Sequence, residues 1–221
     1  MLARSQYPRF VSWILELLHR RTRQTRVITM DGLHIQICPQ VFNPVMGRTT
    51  HFFIQHMQLQ SESRILDLGT GSGAIAVAAA QICQSVTATD ISPYAVKCAK
   101  ATFRLNGVAD HVRVLQGDLF APVEGETFDV ILFNPPYLPG DATSWIAKAW
   151  SAGSKFELLS RFLEDARQVL AKDGQIQVLL SSTTSMTQII SCMKQNGYRI
   201  RILGKGRILG PLEQIFLFQL V

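Results

Sequence analysis

The pattern of hydrophobic and polar positions changes near residue 52, and the change predicts two kinds of structure. Before it, "RVITMDGLHIQI" at 26–37 consists of two alternating runs around Asp31-Gly32, which is typical of a β-hairpin. Residues 8–20 place large apolar side chains at helical spacing, so we expect an amphipathic helix packed on the body of the protein. After residue 52, short apolar runs alternate with helical patterns.

The alternating part predicts the fold class. Strands that alternate with helices imply right-handed crossovers and a parallel sheet with helices on both faces. The last two apolar runs follow one another without a helix, so they should pair antiparallel. We therefore predict an α/β fold that closes with a C-terminal antiparallel hairpin. The predicted strands are 65–68, 86–89, 112–115, 130–133, 176–180, 198–203 and 213–220, and the main helices are 73–83, 93–105 and 156–171.

Length and composition indicate one globular domain with a small appendage. The chain has 221 residues, of which 47% are hydrophobic and 17% charged. No apolar stretch approaches the roughly 18 residues that a membrane span needs, and the first residues lack the features of a secretory signal. The cysteines show no CxxC spacing, so we expect reduced thiols in a cytoplasmic protein. They are Cys38, Cys83, Cys98 and Cys192.

The net charge of +6 is confined to two segments. Residues 1–26 contain six arginines against Glu16, and 194–207 contain five basic residues and no acid. The rest of the chain is acidic, with 11 basic and 15 acidic residues. The two segments therefore predict either a basic patch for RNA, a ribosome or another acidic partner, or simply a solvated helix end and a solvated hairpin.

A glycine-rich turn follows the strand at 65–68. The stretch "RILDLGTGSGAIAVAAA" at 64–80 combines a strand, a turn with three glycines and a helix of small residues. Glycines at such a turn let a ligand lie against backbone amides at the start of a helix. Asp90 ends the next strand 23 residues after Asp67, near the separation expected for a ribose-binding carboxylate. Asp118 ends the third strand, where an acid can reach an adenine amine.

The spacing of this turn is D-x-G-x-G-x-G, whereas dinucleotide-binding dehydrogenases usually present G-x-G-x-x-G. It resembles the first motif of class I S-adenosylmethionine-dependent methyltransferases. The resemblance implies a Rossmann-like fold with a mostly parallel seven-stranded sheet, and S-adenosyl-L-methionine as cofactor. In that family the first acid and the glycines hold the methionine part, and the later acids bind ribose and adenine. Carried over to this chain, the cofactor-binding residues are Asp67, Gly69, Thr70, Gly71, Gly73, Asp90, Ile91, Asp118, Leu119 and Asn134.

A second motif, Asn-Pro-Pro-Tyr, begins at Asn134 where an apolar run ends. Two consecutive prolines lack N–H groups, so a core strand must stop there. The Asn134 side-chain carbonyl and the Pro135 backbone carbonyl match the two hydrogens of an NH₂ group. Hydrogen bonds to both hydrogens favour a pyramidal nitrogen whose lone pair can attack a methyl group, while Tyr137 stacks on the planar group. The predicted catalytic residues are Asn134, Pro135, Pro136 and Tyr137.

This motif resembles the fourth motif of amino-methyltransferases that act on planar nitrogens. Together with "VFNP" at 41–44 and the C-terminal tail, it resembles the HemK family of protein-glutamine methyltransferases, and most closely its short release-factor-modifying branch. The resemblance implies a glutamine amide of a translation factor or ribosomal protein as acceptor, and allows a small activator subunit. An exocyclic amine of an RNA base, a small-molecule amine, and a catalytically silent binding subunit stay as alternatives.

Several assignments follow from this interpretation. We expect residues 1–50 to form a lid or docking module of a helix and a hairpin, and 51–221 to form the methyltransferase domain. Thr49, Thr50 and Phe53 either line the pocket or serve the core and helix caps, and Trp145 and Trp150 either wall the acceptor cleft or belong to the core. The five histidines show no ligand spacing, so we expect no metal site.

Overall fold

A computed structural model describes residues 24–138, 142, 144–151, 153, 157–208 and 213–221. The helix predicted at 8–20 and the arginines before residue 24 lie outside these residues. Across the described part of the chain, every helix is too short or too polar to cross a bilayer.

The described chain forms a two-stranded and a seven-stranded sheet. The strands are β1 Arg26–Met30, β2 Leu33–Ile37, β3 Arg64–Leu68, β4 Ser85–Asp90, β5 Val112–Gln116, β6 Phe128–Phe133, β7 Leu170–Ser181, β8 Ile200–Ile208 and β9 Glu213–Leu220. The helices are α1 Pro44–Gly47, α2 Thr49–His56, α3 Ala74–Ala80, α4 Pro93–Leu105, α5 Trp145–Lys148, α6 Glu157–Val169 and α7 Met186–Gln195, with a 3₁₀ turn at Ala121–Val123. The pattern of apolar positions had not predicted α2 or α7.

The large sheet has the order β5-β4-β3-β6-β7-β9-β8. Strands β3 to β7 are parallel to one another, whereas β9 lies antiparallel between β7 and β8. The predicted α/β class, the parallel core and the C-terminal antiparallel pair are confirmed. From β3 the chain moves outward to β5 and then returns to the other side of β3 at β6, so the strand order reverses between β3 and β6. Ligands of open α/β sheets bind at such a reversal, beyond the carboxyl ends of the strands.

Each face of the sheet carries its own hydrophobic core. One core packs the hairpin, α2, α3 and α4 against the sheet, and the other packs α6 and α7. The parallel strands contribute to both cores because successive side chains point to opposite faces. In β6, Val130 and Leu132 face the first core while Ile131 and Phe133 face the second.

The hairpin of β1 and β2 packs against the large sheet's first core and against α4. Its register around Asp31-Gly32 is the predicted one. Ile35 and Ile37 are fully buried in the first core. The hairpin therefore contributes to the body of the fold, while a domain boundary at residue 50 stays a prediction.

The expectation of four reduced cysteines is wrong for one pair. Cys38, just after β2, forms a disulfide with Cys98 of α4, and their Cα atoms are 6.0 Å apart. That distance is within the range that a disulfide requires. The two residues are 60 positions apart in the chain, and only the packing of the hairpin on α4 brings them together. Cys83 and Cys192 are free.

Helix α2 packs directly on the backbone of β8. A Cβ atom at Gly204 would lie 2.6 Å from His56 Cδ2, and one at Gly206 would lie 2.7 Å from Phe52 Cε2. The Phe52 and His56 rings stack with a centroid separation of 4.1 Å. The two glycines therefore create the space in which these rings meet the strand.

We expect the substitution Gly204→Ala to lower the free energy of unfolding by about 1–3 kcal/mol, because the added methyl overlaps the His56 ring. Urea denaturation followed by circular dichroism measures this change. In a double-mutant cycle with His56→Ala, the cost of Gly204→Ala should shrink, because the ring that the methyl meets is gone. An equal cost in both backgrounds would contradict the packing described here.

Candidate active site

A cleft lies at the carboxyl ends of β3, β4 and β6, at the point where the strand order reverses. Of the predicted catalytic and cofactor-binding residues, all but Asp67 and Gly73 line it. The lining includes Gln40, Val41, Phe42, Pro44, Thr49, Thr50, Gly69, Thr70, Gly71, Asp90, Ile91, Asp118, Leu119, Asn134, Pro135, Pro136, Tyr137, Trp145, Lys148 and Trp150.

The glycine turn after β3 forms the floor of the cleft. Its backbone is fixed by a hydrogen bond from the Thr70 amide to the Thr89 carbonyl at 2.9 Å. Gly71 has a positive φ of 57°, and no atom lies within 4 Å of the place where its Cβ would stand. A ligand can therefore approach the Gly71 backbone closely, as a phosphate- or nucleoside-type turn requires.

Gly73 is needed for packing behind the turn. It precedes α3 with a φ of 84°, and an added Cβ would lie 2.8 Å from Phe103 Cε1 and 3.1 Å from the Ala99 Cα. Any larger residue would push α3 away from α4. Gly73 thus positions the turn without lining the cleft.

Asp67 lies beneath the turn, with a side chain that is 1% exposed. Its Oδ2 accepts hydrogen bonds from Thr70 Oγ1 at 2.6 Å and from the Ala76 amide at 3.1 Å. Burial raises the pKa of the Asp67 carboxyl to about 7. The two hydrogen bonds act in the opposite direction and lower this pKa, but burial has the larger effect. The carboxylate therefore ties the end of β3 to the first turn of α3.

Asp90 stands at the end of β4 and lines the cleft. Its Oδ2 accepts a hydrogen bond from the Gly71 amide at 2.9 Å, and its Oδ1 accepts one from the Ser92 amide at 2.9 Å. Desolvation raises the pKa of Asp90 above its usual range, while the two amides act in the opposite direction. The side chain links the glycine turn to the start of α4 and presents a carboxylate to the cleft.

Asp118 and its neighbours form the third side of the cleft. Asp118 Oδ2 accepts a hydrogen bond from the Arg161 guanidinium of α6 at 2.7 Å, in a half-exposed ion pair. Leu119 adopts a positive φ of 44° and is buried, whereas Ile91 is exposed, and both line the cleft. Arg161 is a partner that the sequence pattern had not identified.

The Asn-Pro-Pro-Tyr segment leaves β6 at the same edge, as predicted. Asn134 is half-buried, and its Nδ2 lies 3.5 Å from Thr49 Oγ1, at the limit of a hydrogen bond. Beyond Tyr137, the Leu138 amide donates to the Trp150 carbonyl at 2.8 Å. The segment is therefore held at both ends, and it follows Phe133, whose ring packs on Phe162 with a centroid separation of 4.6 Å.

Aromatic side chains form the outer wall of the cleft. Trp145 is 37% exposed; its ring contacts Tyr94 edge-on at 6.5 Å, and Lys148 Nζ lies 4.4 Å from its centroid. Trp150 is buried beside Leu138, so it belongs both to the wall and to a small core.

The segment between the hairpin and α2 also reaches the cleft. Thr49 and Thr50 line the cleft, whereas Phe53 is fully buried in the core. Gln40, Val41 and Phe42 also line it, although no pattern in the sequence had assigned them to a site. Only the "VFNP" similarity at 41–44 could have pointed to this segment.

The family of the chain follows from comparison with known proteins. Residues 35–205 match the family model "Methyltransferase small domain". A Methanocaldococcus jannaschii protein, provisionally named a protein N5-glutamine methyltransferase, is 32% identical over 86% of this chain and 95% of its own length. The ribosomal protein uL3 glutamine methyltransferase of Bradyrhizobium diazoefficiens is 34% identical over 73% of this chain, which spans 59% of that enzyme. The release factor glutamine methyltransferase of Gloeobacter violaceus is 44% identical over 48% of this chain and 39% of its own length.

Solved structures share the fold. The Lactobacillus delbrueckii ribosomal protein L11 methylase superposes with a TM-score of 0.60 at 22% identity, covering 80% of each chain. The E. cuniculi Mtq2–Trm112 complex, described as methylating the termination factor eRF1, matches with a TM-score of 0.61 at 24% identity, covering 82% of this chain and 98% of that one. The family match and the fold agree with the cleft geometry, and the chain belongs to the methyltransferase small domain family of S-adenosylmethionine-dependent methyltransferases.

Proposed function

We propose that this enzyme methylates the side-chain amide nitrogen of a glutamine in a translation factor or ribosomal protein. The observation that carries the proposal is the position of Asn134 and its two prolines on the rim that also holds the glycine turn and Asp90. The names of the relatives support it, because those compared at 32% to 44% identity are called glutamine methyltransferases.

The residues at the cleft fit S-adenosylmethionine. The Gly71 backbone is open to a ligand, the Asp90 carboxylate stands where ribose hydroxyls can donate to it, and Asp118 lies on the side proposed for adenine. When bound, the cofactor supplies an electrophilic methyl group on a sulfonium centre. We propose that Asp67 acts from beneath, by fixing Thr70 and the start of α3, rather than by lining the cleft.

Asn134 and Pro135 are proposed to hold the acceptor amide. The Asn134 Oδ1 and the Pro135 carbonyl accept hydrogen bonds from its two N–H groups, which draws the lone pair out of conjugation. Thr49 beside the Asn134 amide group supports the orientation in which Oδ1 faces the cleft. Tyr137 packs against the planar amide, and this alignment is worth roughly 7–11 kcal/mol in favourable cases. The side chains therefore act by positioning, with no strong base required.

The proposed partners follow from the same assignment. We propose a macromolecule of the translation apparatus as the acceptor and, with it, a cytoplasmic location. The complex named in the E. cuniculi structure supports a small activator subunit for this chain as well. The amine of an RNA base is the competing acceptor. Labelled cofactor distinguishes the two, because the label enters either the protein or the RNA fraction of a lysate.

We expect Asn134→Ala to lower kcat by about 10²–10³-fold, because one of the two acceptors is lost. The dissociation constant for the cofactor, measured by isothermal titration calorimetry, should change by only a few fold. Asn134→Gln is the matched variant, since it keeps the amide but displaces it by one methylene. It should be nearly as inactive, because catalysis by positioning tolerates about 1 Å of error poorly. Substantial activity in both variants would contradict this role.

We expect Asp90→Ala to raise the cofactor dissociation constant by about 10–100-fold, because a charged hydrogen-bond acceptor is removed from the cleft. Asp129→Ala is the control. Its carboxylate also accepts a backbone amide, from Arg64 at 2.8 Å, but at the amino ends of the strands. Calorimetry should show unchanged affinity for that variant. Equal losses in the two variants would indicate a general effect on folding.

The acceptor assignment is tested with labelled cofactor. Purified enzyme is incubated with cell lysate, and the protein and RNA fractions are counted separately. We expect label in protein alone, and mass spectrometry of the labelled protein should place the added methyl on a glutamine. A variant of that protein with Gln→Asn at the modified position should take up no label. Label in the RNA fraction would favour a nucleobase amine instead.

A further inference from the structure

The basic residues of β8 are divided between the two faces of the sheet by a bulge. In an uninterrupted strand, Arg199, Arg201, Lys205 and Arg207 would share one face, because side chains alternate. The pairing with β9 shifts by one residue between Ile202 and Gly204, so the strand carries one extra residue there. After the bulge, Lys205 pairs with Phe216 and Arg207 with Gln214. These two cations therefore point to the face opposite that of Arg201.

The glycines of β8 explain which face each residue takes. Gly204 and Gly206 face α2, where the Phe52 and His56 rings fill the space above the backbone. Lys205 and Arg207 consequently point to the other face, and both are exposed. Glu213 at the start of β9 pairs with Ile208 on the α2 side, so its carboxyl group lies across the sheet from them.

An apolar and aromatic surface accompanies the two cations. Ile202 is 53% exposed and shares their face, as does the partly exposed Phe216. Lys205 Nζ lies 5.6 Å from the Phe216 ring centroid, and Phe216 stacks on Phe218 at 5.8 Å. We name Ile202, Lys205, Arg207 and Phe216 the β8 surface. Within the described ranges, neither of its cations lies within ion-pair distance of a carboxylate.

The β8 surface lies level with the acceptor motif. Phe133 pairs with Val178, which pairs with Phe218, which pairs with Ile202. Two residues nearer the carboxyl edge, Leu180 pairs with Phe216 and hence aligns with Lys205. Lys205 therefore lies two residues beyond the level of Phe133, toward the edge at which Asn134 and Pro135 leave β6. Three strand spacings of about 4.8 Å separate β6 from β8, so the two are roughly 14 Å apart across the sheet.

From this arrangement we infer that the β8 surface binds a single-stranded RNA segment beside the acceptor cleft. Lysine and arginine neutralise phosphates, and an aromatic ring provides a face for base stacking whatever the sequence. The combination of the Phe216 ring with two cations that have no carboxylate partner among the described residues favours RNA over an acidic protein segment, which needs the charges but not the ring. A surface so close to the cleft would hold a ribonucleoprotein whose glutamine enters the acceptor site. The inference concerns binding and stands or fails independently of the glutamine assignment.

The test measures RNA binding by fluorescence anisotropy, with a labelled 12-nucleotide single strand and the full-length protein at 0.05–0.3 M salt. For Lys205→Gln/Arg207→Gln we expect the slope of log K against log salt to fall by about 1.4, and binding at 0.1 M salt to weaken by about 25-fold. Lys100→Gln/Arg104→Gln is the matched control, because it removes one exposed lysine and one exposed arginine from α4. It should leave the dissociation constant and the slope unchanged.

A second variant separates RNA from other polyanions. Phe216→Leu keeps an apolar side chain but removes the ring, so RNA binding should weaken by at least about 5-fold with an unchanged salt slope. A poly-glutamate peptide of equal charge should bind more weakly than RNA and be insensitive to this change. Equal losses in the two double variants, or equal binding of RNA and peptide by the unaltered protein, would overturn the inference. So would an absence of RNA binding at 0.1 M salt.

Discussion

The hydrogen bonds that two carboxylates make to the glycine turn are the interactions on which the functional part of the molecule depends. Asp67 joins β3 to α3 from beneath, and Asp90 joins the turn to the end of β4 and the start of α4. Both are removed from water enough to raise their pKa values, so their amide and hydroxyl partners are needed to stabilise the charged forms. These bonds fix the backbone of the turn, and no large side chain covers the Gly71 backbone where it faces the cleft.

The acceptor side of the cleft relies on a different device. Consecutive prolines end β6 abruptly, and the chain after them is secured by the bond between Leu138 and Trp150. The segment from the hairpin to α2 closes the other flank and brings Thr49 to Asn134. A rigid backbone corner and a neighbouring hydroxyl therefore fix the Asn134 amide group at the edge of the sheet that also carries the glycine turn. Preorganisation of this kind costs no rearrangement when a substrate enters.

The edge of the sheet that carries the cleft continues to the carboxyl end of β8. Because β9 runs antiparallel between β7 and β8, the carboxyl end of β8 lies on the same side of the sheet as Asn134. Helix α2 begins at Thr49, which contacts Asn134. The same helix covers one face of β8, so Lys205 and Arg207 point to the opposite face. The edge that carries Asn134 and the β8 surface share this structural support.

Much of the fold and of the lining of the cleft was predictable from the sequence alone, because these features depend on local patterns. Alternating apolar runs and helical periods predicted the parallel sheet and its antiparallel end, and glycines and acids at strand ends predicted the turn. The proline corner at Asn134 was predictable for the same reason, since two residues without N–H groups end a strand in any context.

Tertiary structure decided the features that depend on residues far apart in the chain. The burial of Asp67 beneath the turn, the pairing of Asp118 with Arg161, and the disulfide between Cys38 and Cys98 have no local signature. The bulge in β8 is a further case, because the α2 rings and the pairing with β9 together determine which face each cation takes. Local patterns determine which segments form strands and turns, whereas packing between distant segments determines which side chains meet.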